Sequence, residues 1–226
     1  MLSDATAVRR ALAEGRAVVL PNPAPLTCVV TATRPEAVNL AKRRPAGQAV
    51  ALWAHHPDTL GRLAGLLDLG PDALRLARRL LDEELVTLLV PVREPGSAPP
   101  WLAPATQDGW ALLFGALWKP LADLLEPFPV LYVSSANRTG QLPSPTPADA
   151  AVAFGPDVPV LADPVPADTA ATRRATTTVR LDSDGRMDVH RHGAQDGGHG
   201  GAEEYLAHLG RTYGADSTPR IVTVLI

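Results

Sequence analysis

The sequence predicts an α/β protein in which helices flank a mixed β-sheet. Short apolar runs rich in valine and leucine alternate with longer segments that carry leucines at helical spacings. Hydrophobic residues make up 46% of the 226 residues and charged residues 20%, which is ordinary for a chain with an apolar core. Alternating strand and helix signals of this kind are typical of a layered α/β architecture.

The N-terminal half begins with a predicted helix. Ser3 or Asp4 can cap it by accepting from free backbone N–H groups of the first turn, and Gly15 ends it. Apolar runs predict strands at residues 17–20, 26–31 and 49–54. A helix is predicted at residues 35–44, and leucines at three- and four-residue spacings predict two more at residues 57–69 and 71–84.

The C-terminal half contains most of the predicted strands, which lie at residues 86–92, 110–117, 130–133, 177–181, 187–190 and 220–226. Helices are predicted at residues 120–125, 147–154 and 202–210. The proline-rich residues 94–109 predict a long loop that covers a site, and residues 193–201 a flexible polar segment. We expect residues 1–193 to form one domain on which a linker, helix and strand in residues 194–226 pack.

Composition excludes several classes of protein. A net charge of −3 argues against broad attraction to nucleic acid, so RNA binding is the weaker expectation. No apolar run is long enough to cross a bilayer, and the N-terminus lacks a secretory signal pattern, so we expect a cytoplasmic protein without membrane contact. Lys42 and Lys119 are the only lysines among 21 basic residues, a bias that suggests a GC-rich bacterial genome.

The segment Ser134-Ser135-Ala136-Asn137 follows a predicted strand. Its hydroxyls and amide can donate to phosphate or carboxylate oxygens at a strand end, where α/β proteins often bind ligands. The alternative is a turn whose side chains satisfy their own backbone.

Two cations upstream, Lys42 and Arg44, can hold anionic groups, although the end of a solvated helix would look the same. The histidines His55 and His56, and the pair His190 and His192, lack the spacing of a ligand set, and we therefore predict no metal site.

Residues 132–140, followed by Pro143 and Thr146, resemble the "SAN.SG" segment of the Sua5/YciO/YrdC family. Other segments agree with the family in kind and in order: residues 42–45 resemble its "K.RP", Thr87 falls at the threonine of its "plT", residues 175–179 resemble its "STV", and residues 191–193 match its "R.G". The resemblance extends from about residue 11 to residue 206.

This resemblance implies a twisted mixed sheet around a central positive cavity. It also implies an activity: the family's characterised reaction joins threonine, bicarbonate and ATP into threonylcarbamoyl-adenylate for tRNA modification, with release of pyrophosphate. Lys42 and Arg44 would then be catalytic, with Mg²⁺ accompanying ATP. The residues implied to contact nucleotide or phosphate are Thr87, Ser134, Ser135, Asn137, Thr177, Thr178 and Arg191.

The sequence departs from the family at the amino-acid end of that site. Residues 21–27 replace the family's "PTDTvYGL" segment, so its threonines and tyrosine are lost. Gln48-Ala49 stands where the family has a second lysine, residues 82–84 replace its "WPG", and Leu113 or a neighbour replaces an arginine. Losing one donor aimed at transition-state charge can slow a reaction by roughly 10²–10³, so these changes predict an altered substrate or lost catalysis.

Three hypotheses follow. The first is a divergent YrdC/Sua5-like protein with an ATP- or AMP-type pocket and a changed carboxylate or amino-acid substrate, serving specialised metabolite biosynthesis. If active, it would transfer a nucleotidyl group to form a carbamoyl-adenylate. The second is an authentic L-threonylcarbamoyladenylate synthase. The third is a non-catalytic binding or scaffold protein, which would bind RNA, a protein partner or a second copy through the C-terminal strand.

Overall fold

A twisted mixed sheet of nine strands organises the chain in the computed structural model, which describes residues 2–164 and 172–214. The strands are β1 (Val18–Leu20), β2 (Val29–Ala32), β3 (Ala51–Trp53), β4 (Thr87–Pro91), β5 (Thr106–Gln107), β6 (Trp110–Phe114), β7 (Tyr132–Ser135), β8 (Thr178–Leu181) and β9 (Met187–Arg191).

The strand order is β1-β2-β7-β3-β6-β4-β8-β9, and the two-residue β5 pairs with β6. Two pairs, β3 with β6 and β4 with β8, are parallel, and the other neighbours run antiparallel. This mixture confirms the predicted sheet class. It also places β7, which ends in Ser134 and Ser135, between β2 and β3 near the middle of the sheet.

Helices connect and cover the strands. They are α1 (Ala5–Ala13), α2 (Pro35–Ala41), α3 (Pro57–Leu63), α4 (Pro71–Asp82), α5 (Ala122–Leu125), α6 (Pro147–Phe154), α7 (Ala194–Gly198) and α8 (Ala202–Tyr213). Asp4 caps α1, since its carboxylate accepts from the N–H of Ala7 at 2.8 Å. Four helices begin with proline, whose missing N–H would be unpaired there in any case. No helix within the described ranges is long and apolar enough to cross a membrane.

The two faces of the sheet are covered unequally. Side chains alternate along each strand, so Val19 joins one buried cluster while Val18 and Leu20 join the other. The first cluster includes residues from α2, α3, α4, α6 and α8, whereas α1, α5 and the first residue of α7 contribute to the second. Fewer helices therefore contribute to the second cluster.

Most predicted elements are confirmed with bounds that differ by a few residues, among them the hairpin of β8 and β9. The prediction of a flexible polar segment at residues 193–201 is wrong, because these residues include α7. Asp196 explains this: its carboxylate accepts from the N–H of Gly193 at 2.7 Å and the hydroxyl of Thr177 at 2.6 Å. The predicted strand at residues 220–226, and with it the partner contact expected there, lies outside the described residues.

Gly193, two residues after β9, offers a test of how closely the chain there approaches the residues before β8. A Cβ atom there would lie 2.2 Å from the backbone nitrogen of Thr177, so we expect Gly193→Ala to lower the free energy of unfolding by about 2–3 kcal/mol. The control is Gly61→Ala within α3, where nothing lies within 4 Å; it should raise stability by about 0.5–1 kcal/mol. Urea denaturation measures both, and similar effects of the two substitutions would contradict the close approach.

Candidate functional site

A cavity of about 180 Å³ lies against strand residues that belong to the second buried cluster. Its apolar floor includes Val29, Ala51, Phe114 and Val133, which come from four different strands. The polar residues that line it are Asn22, Thr27, Arg44, Thr87, Ser134, Ser135, Thr176 and Arg191. The sheet thus brings together residues that are widely separated in the sequence.

The charged residues of this lining are both cations. Arg44 and Arg191 carry the charge, and none of the described lining residues is an aspartate or a glutamate. Guanidinium groups donate several N–H bonds in one plane and match carboxylate and phosphate oxygens well. The electrostatics of the cavity favour an anion.

Arg44 lies in the loop that follows α2 and is held in place by a residue of that helix. Its Nε donates to Oδ1 of Asn39 at 2.5 Å. The buried Asn39 in turn donates through Nδ2 to the carbonyls of Ala46 at 2.6 Å and Gln48 at 2.8 Å. Partial burial lowers the pKa of Arg44 from its usual value, which makes an anionic partner more favourable.

The segment Ser134-Ser135-Ala136-Asn137 at the end of β7 contains both cavity-lining residues and a self-satisfied turn, the two alternatives that its sequence offered. Ser134 and Ser135 line the cavity, whereas Asn137 does not. The side chain of Asn137 instead stabilises the turn, since its Nδ2 donates to the carbonyls of Arg138 at 3.0 Å and Gln141 at 2.8 Å. The hydroxyl of Ser135 donates to Oδ1 of Asn137 at 2.6 Å.

Lys42 lies behind this segment and outside the cavity lining. It is only 4% exposed, and its Nζ donates to the carbonyl of Ser135 at 2.5 Å and to the carbonyl and Oδ1 of Asn137, both at 2.9 Å. Burial, together with the nearby charge of Arg44, lowers the pKa of Lys42 to about 7. In this structure Lys42 positions the turn, while Arg44 is the cation that lines the cavity.

Arg138 fixes the same turn from its other side. Its guanidinium donates to the carbonyl of Ala41 at 2.9 Å, and to those of Ala153 at 3.0 Å and Phe154 at 2.9 Å. These carbonyls are at the C-terminal ends of α2 and α6, where helices leave backbone acceptors unpaired and favour a cation. The β7 turn is thereby tied to two helices of the opposite face.

The three consecutive threonines before and within β8, residues 176–178, differ in whether they line the cavity. Thr176 lines the cavity, and its Oγ1 lies 2.6 Å from Oγ1 of Thr87, which also lines it. Thr177 and Thr178 are buried and do not line the cavity, and Thr177 binds Asp196 instead. The cavity is therefore lined by Thr176, whereas the sequence suggested Thr177 and Thr178 as the residues that contact the ligand.

Arg191 completes the opposite wall at the end of β9. It is exposed, and its Nη2 donates to the carbonyl of Thr176 at 3.2 Å. The long loop at residues 94–109, which was expected to cover a site, contributes none of the described lining residues.

Sequence reasoning missed Asn22 and Thr27 as lining residues. Both belong to the proline-rich connection between β1 and β2. The sequence analysis considered this connection only for the family threonines and tyrosine that it lacks. An asparagine between prolines was the available signal, because a buried polar side chain in a stiff connection calls for a partner.

The lowered pKa of Lys42 predicts a pH dependence of stability. Between pH 7 and 10.5 the unfolded state binds more protons at this lysine than the folded state, so its contribution to stability rises with pH. The difference in unfolding free energy between wild type and Lys42→Met should therefore move in favour of wild type over this interval. Urea denaturation at several pH values measures the difference. Lys119→Met, at an exposed lysine, is the matched control, and an equal slope for both variants would contradict the prediction.

Comparison with solved structures identifies the fold. The chain is similar to P. abyssi Sua5 complexed with L-threonine, with a TM-score of 0.68 and 15% identity over 98% of this chain and 61% of that chain. It is also similar to E. coli YciO, with a TM-score of 0.62 and 14% identity over 84% of this chain and 89% of that chain. A full-length HypF in the phosphate- and nucleotide-bound form gives a TM-score of 0.60 and 14% identity over 85% of this chain and 29% of that chain.

No protein-family model matches the sequence, and no curated protein matches it. The chain spans 61% of the Sua5 chain, so the structural likeness covers part of that protein. The order of its strands and helices, and not close sequence identity, carries the likeness. The chain has the twisted α/β fold shared by the Sua5, YciO and HypF structures.

Proposed function

We propose that this chain binds a nucleotide of the ATP or AMP type in the cavity and is related to threonylcarbamoyl-adenylate synthases, with a changed second substrate. The observation that supports this proposal best is a lining with Arg44 and Arg191 as its cations and, among the described residues, no carboxylate. Specialised metabolite biosynthesis is the setting that we favour, because residues 21–27 no longer carry the threonines and tyrosine of the family segment.

The phosphate end of such a ligand suits the wall between Arg44 and Ser135. Ser134 and Thr176 contribute hydroxyl groups to the same lining as Arg44 and Arg191, and the hydroxyl of Ser135 would join them by exchanging its bond to Asn137 for one to the ligand. Charge-assisted hydrogen bonds are roughly twice as strong as neutral ones, so the arginines would supply most of the affinity.

The size of the cavity bears on what it takes. Pockets for drug-sized ligands measure roughly 300–1,000 Å³. At about 180 Å³ this cavity suits the phosphate or carboxylate group of a ligand, with the base of the nucleotide extending past the exposed Arg191.

Mg²⁺ would accompany the ligand without a protein carboxylate. This ion usually binds one or two carboxylates together with phosphate oxygens and water. The described lining offers no carboxylate, so phosphate oxygens and water would have to supply its ligands. The residues present fit the phosphate groups and do not fit a protein-bound Mg²⁺.

The structural neighbours support a nucleotide site without defining the substrate. One HypF structure is described as phosphate- and nucleotide-bound, and one Sua5 structure as complexed with L-threonine. At 14–15% identity these neighbours share the fold with this chain, and the ligands belong to them. If the chain is an enzyme, we propose a nucleotidyl transfer that forms a carbamoyl-adenylate.

Calorimetric titration with ATP and Mg²⁺ tests the proposal. Arg44→Gln and Arg191→Gln should each weaken binding by about 10-fold, because each removes a charge-assisted contact. Arg75→Gln is the matched control: Arg75 is exposed on α4 and pairs with Asp72, and the change should leave binding as in wild type. Absence of binding by any nucleotide, or equal effects of all three substitutions, would refute the nucleotide site.

A pyrophosphate assay separates the changed substrate from the authentic synthase. With ATP and bicarbonate, pyrophosphate release that depends strictly on L-threonine would establish the ordinary reaction. We expect no such dependence, because Asn22, Leu26 and Thr27 line the cavity in the segment where the family carries its threonines and tyrosine.

A further inference from the structure

Asn22 holds an unusual position in the cavity wall. It follows β1 directly after Pro21, lies in the cavity lining and is only 1% exposed. Its side-chain Nδ2 donates to the backbone carbonyl of Thr27 at 2.9 Å, and its backbone carbonyl accepts from Nη1 of Arg173 at 3.0 Å. Because Thr27 presents an acceptor, the amide is oriented with Nδ2 toward Thr27 and Oδ1 away from it.

Oδ1 of Asn22 has no hydrogen-bond donor among the residues that the structure describes. Buried polar atoms in folded proteins nearly always have a partner, so an acceptor without one indicates a missing group. Oδ1 itself is buried and Asn22 belongs to the cavity lining, so a ligand that fills the cavity beside Asn22 is one source of that donor.

The charges around Asn22 restrict what kind of donor fits. Arg173 also donates to the carbonyl of Leu26 at 2.9 Å, which places a third cation beside the cavity, in addition to Arg44 and Arg191. Asp163 interacts with Arg173 but is not part of the described lining. A ligand ammonium would lose its hydration there, and no carboxylate of the described lining would compensate its charge, which is strongly unfavourable. A hydroxyl or an amide N–H carries no such penalty.

We infer that the ligand of this cavity joins an anionic group with a neutral hydrogen-bond donor, a hydroxyl or an amide N–H, that binds Oδ1 of Asn22. A free amino acid is thereby disfavoured as the second substrate, and a hydroxy acid or an amide-bearing acid is favoured. This ligand class rests on the proposed nucleotide and anion site and assigns its selectivity to Asn22.

Three small carboxylates isolate the donor. L-lactate, L-alanine and propionate share a three-carbon acid and differ only in carrying a hydroxyl, an ammonium or a hydrogen at the second carbon. In titrations followed by calorimetry or NMR, wild-type protein should bind lactate roughly 3- to 10-fold more tightly than propionate, as one hydrogen bond gives. Alanine should bind no more tightly than propionate.

Two substitutions move this selectivity in different directions. Asn22→Leu keeps nearly the same shape and removes the acceptor, so lactate and propionate should bind equally. Asn22→Asp supplies the missing negative charge, so alanine should bind more tightly than propionate. Asn22→Ala replaces the leucine variant if that variant fails to fold. Unchanged binding of inorganic phosphate, which depends on Arg44 and Arg191, shows that each variant retains the cavity.

The outcomes distinguish this inference from the proposed function. If ATP or inorganic phosphate binds but wild type does not prefer lactate, the inference is wrong and Oδ1 binds only water. The same conclusion follows if alanine binds most tightly, if all three acids fail to bind, or if Asn22→Leu keeps the lactate preference. If neither ATP nor phosphate binds, the anion site itself is wrong.

Discussion

The arrangement of the cavity depends on one buried ammonium group. Lys42 reaches from the end of α2 to three acceptors in Ser135 and Asn137, more than ninety residues away in sequence. A buried charge is tolerated only where hydrogen bonds replace its hydration, and these acceptors do so without a carboxylate. This contact therefore holds the end of β7, where Ser134 and Ser135 line the cavity.

Local signals in the sequence predicted much of the fold. Asp4 and the leading prolines mark helix starts through backbone groups that lie within one turn, so no distant contact is needed. The strand order was not predictable in this way, because the place of β7 between β2 and β3 depends on packing between distant segments. For the same reason α7 was missed, since Asp196 finds its hydroxyl partner in Thr177 across the fold.

The sequence predicted several residues of the candidate site, but not which of them line the cavity and which are buried behind it. Lys42 and Arg44 are equal candidates in the sequence, yet one is buried under a turn and the other lines the cavity. Thr176 and Thr177 differ only by the alternation of side chains beside a strand, which a one-residue change of register reverses. Asn22 carried little signal because its importance comes from an acceptor left without a donor in three dimensions.

The contacts of Arg138 have a consequence for how this protein can change over time. They fasten the β7 side of the cavity to the ends of α2 and α6, so mutations there disturb stability together with the shape of the cavity. The connection that carries Asn22 and Thr27 lies between two edge-side strands and is held by Arg173 and Arg174 instead. Under the proposed function, the two parts of the cavity can therefore change separately in evolution, so that a new second substrate need not disturb the anion-binding part.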